Sequence, residues 1–316
     1  MIHAHKKLTP LFTALAAILL IFSVTGCSST ASGQTGIKVV ASTTLVGDVV
    51  RQIGGDFISL TVLLPVGADP HTFEPRPQDV AAISDAQIIF LNGLELEHSL
   101  EPIIKSNAGG KIVEVSDGVE VIPYSGELAA AAGTSAVDTH AAGDPHTWMD
   151  PNAVMIWVDN ISRALIELDP DHKADYEANA QAYLQQLRDL DAWIKEQVNT
   201  IPAENRILVT DHENMGYFVK RYGFTLAGLV VDSLSTGASP SAQELSQLED
   251  TIRQQGVKAV FVGSTVNPAL SEQVARDTGV KLVVINTESL GDANSDISSY
   301  ILFIKKMVTQ IVEGLQ

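Results

Sequence analysis

From Ile37 onward the chain alternates short apolar runs with stretches of helical period. The runs in the first half are IKVVAST, ISLTVLL, AQIIFLN and KIVEVS; those in the second are RILVTD, FTLAGLV, KAVFVG and KLVVIN. They are rich in Val and Ile and mostly lack polar alternation, the pattern of strands buried on both faces. Helical patterns over 44–53, 77–85, 98–106, 213–222, 241–255 and 268–278 separate most of them, which predicts α/β units with mainly parallel sheets. The strands fall into two groups of four with a long helical region between them. One helix is predicted over DPNAVMIWVDNISRALIEL, ending before Asp169-Pro170, and a second from near Asp171 to about Thr200. The second carries Tyr176, Ala180, Tyr183, Leu187, Leu190, Ile194 and Val198, steps of three and four that keep to one face. It spans on the order of 45 Å, long enough to run along two lobes and join them as one rigid spine. The alternative is a helix packed inside a single large domain.

The start of the chain falls outside this pattern. Lys6 and Lys7 precede an apolar run from Leu11 to Val24 and then small residues before Cys27. The run is too short to span a membrane and no stop-transfer charges follow, so it reads as a secretory signal peptide. Cys27 is the only cysteine, which rules out an intramolecular disulfide. Its setting, VTGC, resembles the bacterial lipoprotein processing site, where the cysteine becomes the new N-terminus and carries a diacylglyceryl group. Two acyl chains anchor stably where one binds marginally. The stretch SSTASGQTG reads as a flexible tether. The expected organisation is a signal peptide over 1–26, a lipidated tether over 27–36, an N-terminal α/β lobe over 37–169, a linking helix over 170–200 and a C-terminal α/β lobe over 201–316.

Charge narrows the partners. The chain has 38 acidic and 20 basic residues, and two of the basic ones lie in the signal peptide. Nucleic acid needs a basic surface and is not expected as a partner. An acidic surface favours solubility and cations.

Candidate chemistry centres on histidine. The tetrapeptide Asp-Pro-His-Thr occurs twice, in ADPHTFEP and GDPHTWMDP, and places His71 and His146 in the same setting. Proline fixes its own φ and biases the residue before it toward extended geometry, so each histidine is aimed at little entropic cost. His71 follows the run ISLTVLL, His212 follows RILVTD and Glu288 follows KLVVIN. In open α/β sheets the C-terminal ends of strands border the ligand crevice. Three imidazoles and one carboxylate make a four-coordinate borderline donor set that suits Zn²⁺. Plainer readings stand beside this: solvated turn histidines, a surface His212 paired with Asp211 and Glu213, and a Glu288 that merely faces a helix N-terminus. His98, at a predicted helix start, reads as solvated or packed. His140 lies in the low-complexity loop 127–144, and His172 begins the spine and reads as exposed.

Cys27, GADPHTFEPRPQD, GDPHTWMDP, TDHENMGYFVKRYG, STGASPSAQEL and NTESLGD occur in this order. With them the chain resembles the metal-binding lipoproteins that serve as solute-binding components of bacterial zinc and manganese ABC transporters, over nearly all of its mature length. The resemblance implies two α/β lobes joined by one long helix, with the metal in the interlobe cleft. It places ligands at His71, His146, His212 and Glu288. The third position is typically histidine in the zinc importers and glutamate in many manganese ones. The fourth is usually an aspartate before Ser or Ala, so Glu288 departs from the pattern. Its extra methylene lets it ligate from a shifted backbone or act through water. Zinc importers also often carry a long His- and Asp-rich loop before the second histidine, whereas the loop here has His140 and a few acids. The implied function is high-affinity binding of a divalent metal, Zn²⁺ ahead of Mn²⁺, and delivery to a membrane permease. The carrier would be a non-enzymatic monomer, lipid-anchored outside the bacterial cell membrane. A secreted zinc hydrolase using Glu213 is the rival, although the chain has no H-E-x-x-H and no serine elbow.

Overall fold

Among the described residues, eight short strands form two four-stranded sheets in which every pairing is parallel. The computed structural model describes residues 1–2, 36–123, 143–233, 236 and 239–316; the signal peptide beyond its first two residues, Cys27, residues 28–35 and His140 lie outside the described residues. The first sheet holds β1 (Ile37–Ala41), β2 (Ile58–Val62), β3 (Ile88–Leu91) and β4 (Lys111–Glu114) in the order β2-β1-β3-β4. The second holds β5 (Ile207–Thr210), β6 (Thr225–Leu229), β7 (Ala259–Gly263) and β8 (Lys281–Ile285) in the order β6-β5-β7-β8. The two lobes therefore share one winding. Only the central strands are buried on both faces as their apolar runs predict. The edge strands β2, β4 and β8 leave alternate or most residues partly exposed, because an edge has a sheet neighbour on one side only.

The helices are α1 (Thr44–Gly54), α2 (Pro77–Asp85), α3 (Glu101–Asn107), α4 (Pro151–Leu168), α5 (Lys173–Val198), α6 (Gly216–Tyr222), α7 (Ala242–Gln255), α8 (Ala269–Thr278) and α9 (Tyr300–Leu315). The pleat of the central strands sorts them into layers. Val40, Ile89 and Leu91 face outward under α2 and α3, with Ile83 and Ile104. Val209 and Val260 face outward under α7 and α8, with Leu248, Ile252 and Val274. Their neighbours Val39, Ile88, Phe90, Leu208, Ala259 and Phe261 turn to a single inner core shared by both lobes.

The long helix α5 is the floor of that inner core. All seven residues of its predicted stripe are buried, and it packs against α1 of the first lobe, α9 of the second, and α4. His172, just before α5, is not exposed as expected. It stacks on Phe57 with ring centroids 4.2 Å apart and bonds Asp169 through Nδ1 at 2.6 Å.

Three helices differ from expectation. α9 was not anticipated, although Ser299 accepts the Leu302 N–H and buried Tyr300, Phe303, Ile304, Met307, Val308 and Ile311 recur with helical spacing. α3 starts at Glu101 rather than near His98. A turn with Leu94 and Glu95 at positive φ intervenes, built around buried Glu97, whose carboxylate accepts Ser42 Oγ at 2.5 Å and the Asn92 N–H at 2.6 Å. α6 starts at Gly216 because the preceding residues form the turn that carries His212.

Candidate metal site

The two Asp-Pro-His turns have one local design. In each, the aspartate accepts the backbone N–H of the histidine two residues on: Asp69 Oδ1 from His71 and Asp144 Oδ1 from His146, both at 2.8 Å. Proline holds the intervening φ, and the side-chain bond closes the turn. The aromatic after each threonine anchors it. Phe73 packs on the outer core of the first lobe. Trp148 is buried in the inner core and donates Nε1–H to Thr287 O at 2.7 Å, one residue from Glu288. Gly143, at φ +88°, leads into the second turn where a Cβ would lie 2.5 Å from Val121 Cγ1.

From the second lobe, His212 sits two residues past β5 and Glu288 three past β8. The structure brings one ligand atom each from His71, His146, His212 and Glu288 within 4.8 Å of one another. His71 Nε2 lies 3.2 Å from His146 Nε2 and 3.4 Å from Glu288 Oε1. His212 Nε2 lies 2.8 Å from the same Oε1, and His146 Nε2 is 3.9 Å from it. His146, His212 and Glu288 are buried and His71 nearly so. Glu288 stands in the loop between β8 and α9, not at a helix N-terminus, and His212 is not a surface residue; neither plainer reading applies. Glu213 does not belong to the cluster.

Two aspartates, Asp144 and the Asp211 read above as a surface partner of His212, set the ring chemistry. Asp144 Oδ1 takes the His146 Nδ1–H at 2.8 Å, and Asp211 Oδ2 does the same for His212 at 2.8 Å. An N–H committed to a carboxylate on one side leaves Nε2 to face the cluster. The two rings then diverge. Burial pulls the His146 pKa down and wins over Asp144, so this ring is neutral. Burial also opposes charge on His212, but Asp211 and Glu288 on its two sides together outweigh it and hold its pKa well above the ordinary value. Glu288 is the complement: burial pushes its pKa up, and His212 with His71 brings it well below the carboxylate range. Glu288 Oε2 accepts the Thr265 hydroxyl at 2.8 Å, a partner with no signal in the sequence.

The site bridges the lobes. Gly67 N donates to Ser289 Oγ at 2.8 Å, Leu290 N to Thr44 Oγ1 at 2.9 Å, and the Thr236 hydroxyl bonds Asp69 Oδ2. The segment carrying Glu288 is thus held by first-lobe atoms on both sides.

Comparison with known proteins places this arrangement. Residues 39–314 match the family model described as the zinc-uptake complex component A, periplasmic. The chain belongs to this family. The manganese-binding lipoprotein MntA of Halalkalibacterium halodurans is 34% identical over 304 residues, covering 95% of this chain and 96% of the relative. The manganese ABC transporter substrate-binding lipoprotein PsaA of Streptococcus pneumoniae is 33% identical over 319 residues, covering 98% and 99%. Among solved structures, the periplasmic zinc binding protein TroA of Treponema pallidum superposes with TM-score 0.78 at 27% identity, covering 89% of this chain and 99% of that one. The Mn-bound periplasmic metal binding protein of Candidatus Liberibacter asiaticus gives TM-score 0.77 at 27% identity, covering 88% and 99%. The two-lobe fold with its long helix is that of the family.

Proposed function

We propose that this chain captures a divalent transition metal outside the cytoplasmic membrane and hands it to an ABC permease, with His71, His146, His212 and Glu288 as ligands. The observation that carries this is the convergence of four ligand atoms, two from each lobe, within 4.8 Å. Around them stand Asp144 and Asp211, whose bonds to the two Nδ1 atoms turn both Nε2 atoms toward the place an ion would take. Four protein donors leave no position for a reactive water, which suits carriage rather than hydrolysis. A metal must displace the proton between His212 and Glu288, so capture releases a proton and acid opposes it. Cys27, lipidated after removal of residues 1–26, would tether the carrier to the cell membrane.

The cargo we propose is Zn²⁺. Three imidazoles with one carboxylate oxygen form the tetrahedral N/O set that zinc prefers, and zinc stands above manganese in the general affinity order. The second reading, Mn²⁺, is favoured by the names of the relatives. Competitive metal titration of the mature protein and of its His212→Ala and Glu288→Ala variants tests the site. Undiminished affinity in either variant removes that residue from the ligand set. Growth of cells lacking the gene, in media limited for zinc or for manganese, identifies the cargo by which limitation stops them.

A further inference from the structure

We infer that Thr265 sets the metal preference of this site by holding Glu288 to a single ligand oxygen. The inference rests on the carrier reading, with Glu288 as the fourth ligand. A carboxylate can offer a metal one oxygen or two. Here Oε1 faces the imidazoles, 2.8 Å from His212 Nε2 and 3.4 Å from His71 Nε2. Oε2 is turned away and accepts the Thr265 hydroxyl at 2.8 Å. Glu288 is 2% exposed, so water has little access to replace that donor.

The donor is fixed in place by the neighbouring strand. Thr265 lies in the loop after β7, and the residue before it is tied to the exit of β8. Ser264 N donates to Ile285 O at 2.9 Å and Ser264 Oγ to Asn286 Oδ1 at 2.8 Å. Val266 N closes the turn onto Gly263 O at 3.2 Å. The loop bearing the hydroxyl and the loop bearing the carboxylate are therefore tied together by hydrogen bonds, which places Thr265 beside Glu288.

The consequence is a choice of coordination number. One oxygen and three nitrogens close a tetrahedron, which zinc accepts and manganese, with its preference for more and harder donors, does not. With the hydroxyl removed, Oε2 is a buried acceptor without a donor, and the nearest cation is the metal itself. Two-oxygen ligation then raises the coordination number and moves the site toward manganese. Thr265 is in this sense a positioning residue that acts through Glu288.

The test compares the mature protein with Thr265→Val, which keeps the shape, and Thr265→Ser, which keeps the hydroxyl. Zn²⁺ and Mn²⁺ affinities are measured by competition, and the visible absorption of the Co²⁺-loaded proteins reports geometry. Thr265→Val should narrow the zinc-over-manganese ratio by about tenfold, within the range of outer-shell effects, and weaken the intense tetrahedral Co²⁺ bands. Thr265→Ser should keep both near wild type. An unchanged ratio and unchanged bands in Thr265→Val overturn the inference, as does a Thr265→Ser that behaves like Thr265→Val. Weak, non-tetrahedral Co²⁺ bands in the wild type overturn it too. Failure of the carrier reading looks different: the wild type takes up no metal, or Glu288→Ala binds as tightly as the wild type.

Discussion

Each lobe contributes two of the four proposed ligands, but they prepare them in different ways. The first lobe presents His71 and His146 on matched turns whose aspartates bond backbone and, at His146, ring. Burial pulls the His146 pKa down, and its Nε2 meets His71 Nε2 at 3.2 Å. The second lobe presents His212 and Glu288 already bonded to each other at 2.8 Å. That half must be pried apart by the incoming ion. The same fold with the same strand order has thus produced a first half-site whose two rings meet at 3.2 Å and a second closed by a histidine–carboxylate pair at 2.8 Å, and the difference lies in what faces each ring. His146 meets one carboxylate while His212 meets two.

Removing ligands is the bluntest way to break this comparison. His146→Ala and His212→Ala should each weaken zinc binding by more than the ~10–100-fold that an outer-shell partner is worth, measured by competition with a chromogenic chelator. Their metal-free stabilities should diverge. His212→Ala leaves Glu288 buried without its main counter-ion, which is among the costly changes, whereas His146→Ala leaves a cavity beside Trp148. Thermal melts at neutral pH should show the larger drop for His212→Ala; equal drops would mean the His212–Glu288 pair adds no stability.

The outer carboxylates separate the lobes more finely. Asp144→Asn should cost about 10–100-fold in zinc affinity at every pH, because it loosens the His146 tautomer. Asp211→Asn loosens its ring in the same way but also removes one of the two charges that hold a proton on His212. Its loss should shrink at lower pH, where the wild type is most hindered by that proton. Parallel affinity–pH curves for the two variants would refute the division between a neutral and a charged ring.

The pH profile itself follows from the signs. His212 has a raised pKa in the folded state, so wild-type zinc affinity should keep rising with pH above the ordinary histidine value near ~6.5, by up to about tenfold per unit for one displaced proton. For the metal-free fold, a raised His212 pKa contributes stability that is present below about pH 6.5 and lost as pH climbs through the folded pKa. Glu288, lowered, contributes stability present above the usual carboxylate range and lost as pH falls through its folded pKa. His146, lowered, works against His212: the unfolded chain takes its proton more readily, so falling pH below about 6.5 destabilises the fold through this ring. Melting temperatures of His146→Gln should therefore depart from wild type with a pH dependence below about 6.5, and those of His212→Gln with the opposite slope above it.

Much of this was readable beforehand, for identifiable reasons. Apolar runs located the eight strands of the described residues, most sharply the central ones, where burial on both faces leaves little choice of residue, and the stripe on α5 was visible because a helix on a shared core must keep one face apolar over its whole length. The convergence of the four proposed ligands was readable because Asp-Pro-His repeats and strand-end positions are local features. The partners were not. Asp211 is next to His212 in sequence, yet whether it faces the ring or solvent depends on β7, whose Phe261 O takes the Asp211 N–H. Thr265 reaches Glu288 only because two loops from neighbouring strands are tied together. α3 starts later than its sequence suggests because a buried carboxylate, Glu97, organises the preceding turn through groups just after β1 and just after β3. α9 carries both cap and period in its sequence, but the polar stretch GDANSDISS separates it from the strand before it and obscures its start.

The smallest effect expected is in overall shape. A wide hinge opening would have to split the inner core, which runs without a break from Val39 and Phe90 through α5 to Phe261 and Tyr300. It would also break a set of specific bonds between lobes. Asp48 of α1 accepts the Tyr300 N–H at the start of α9 at 2.9 Å, Tyr300 OH donates to Trp148 O at 2.7 Å, and Thr44 accepts from Leu290. Asp48 and Tyr300 are buried, so their separation would expose polar groups and apolar rings together. Local movement is far less costly: the loops bearing His212 and Glu288 can shift while α5 and its neighbours stay packed. Small-angle scattering of the metal-free and zinc-loaded mature protein should give nearly superimposable curves, while amide exchange near residues 212 and 288 slows on loading. A change in radius of gyration as large as a hinge opening requires would show that the shared core is not the restraint it is argued to be, and that the two lobes are joined by α5 alone.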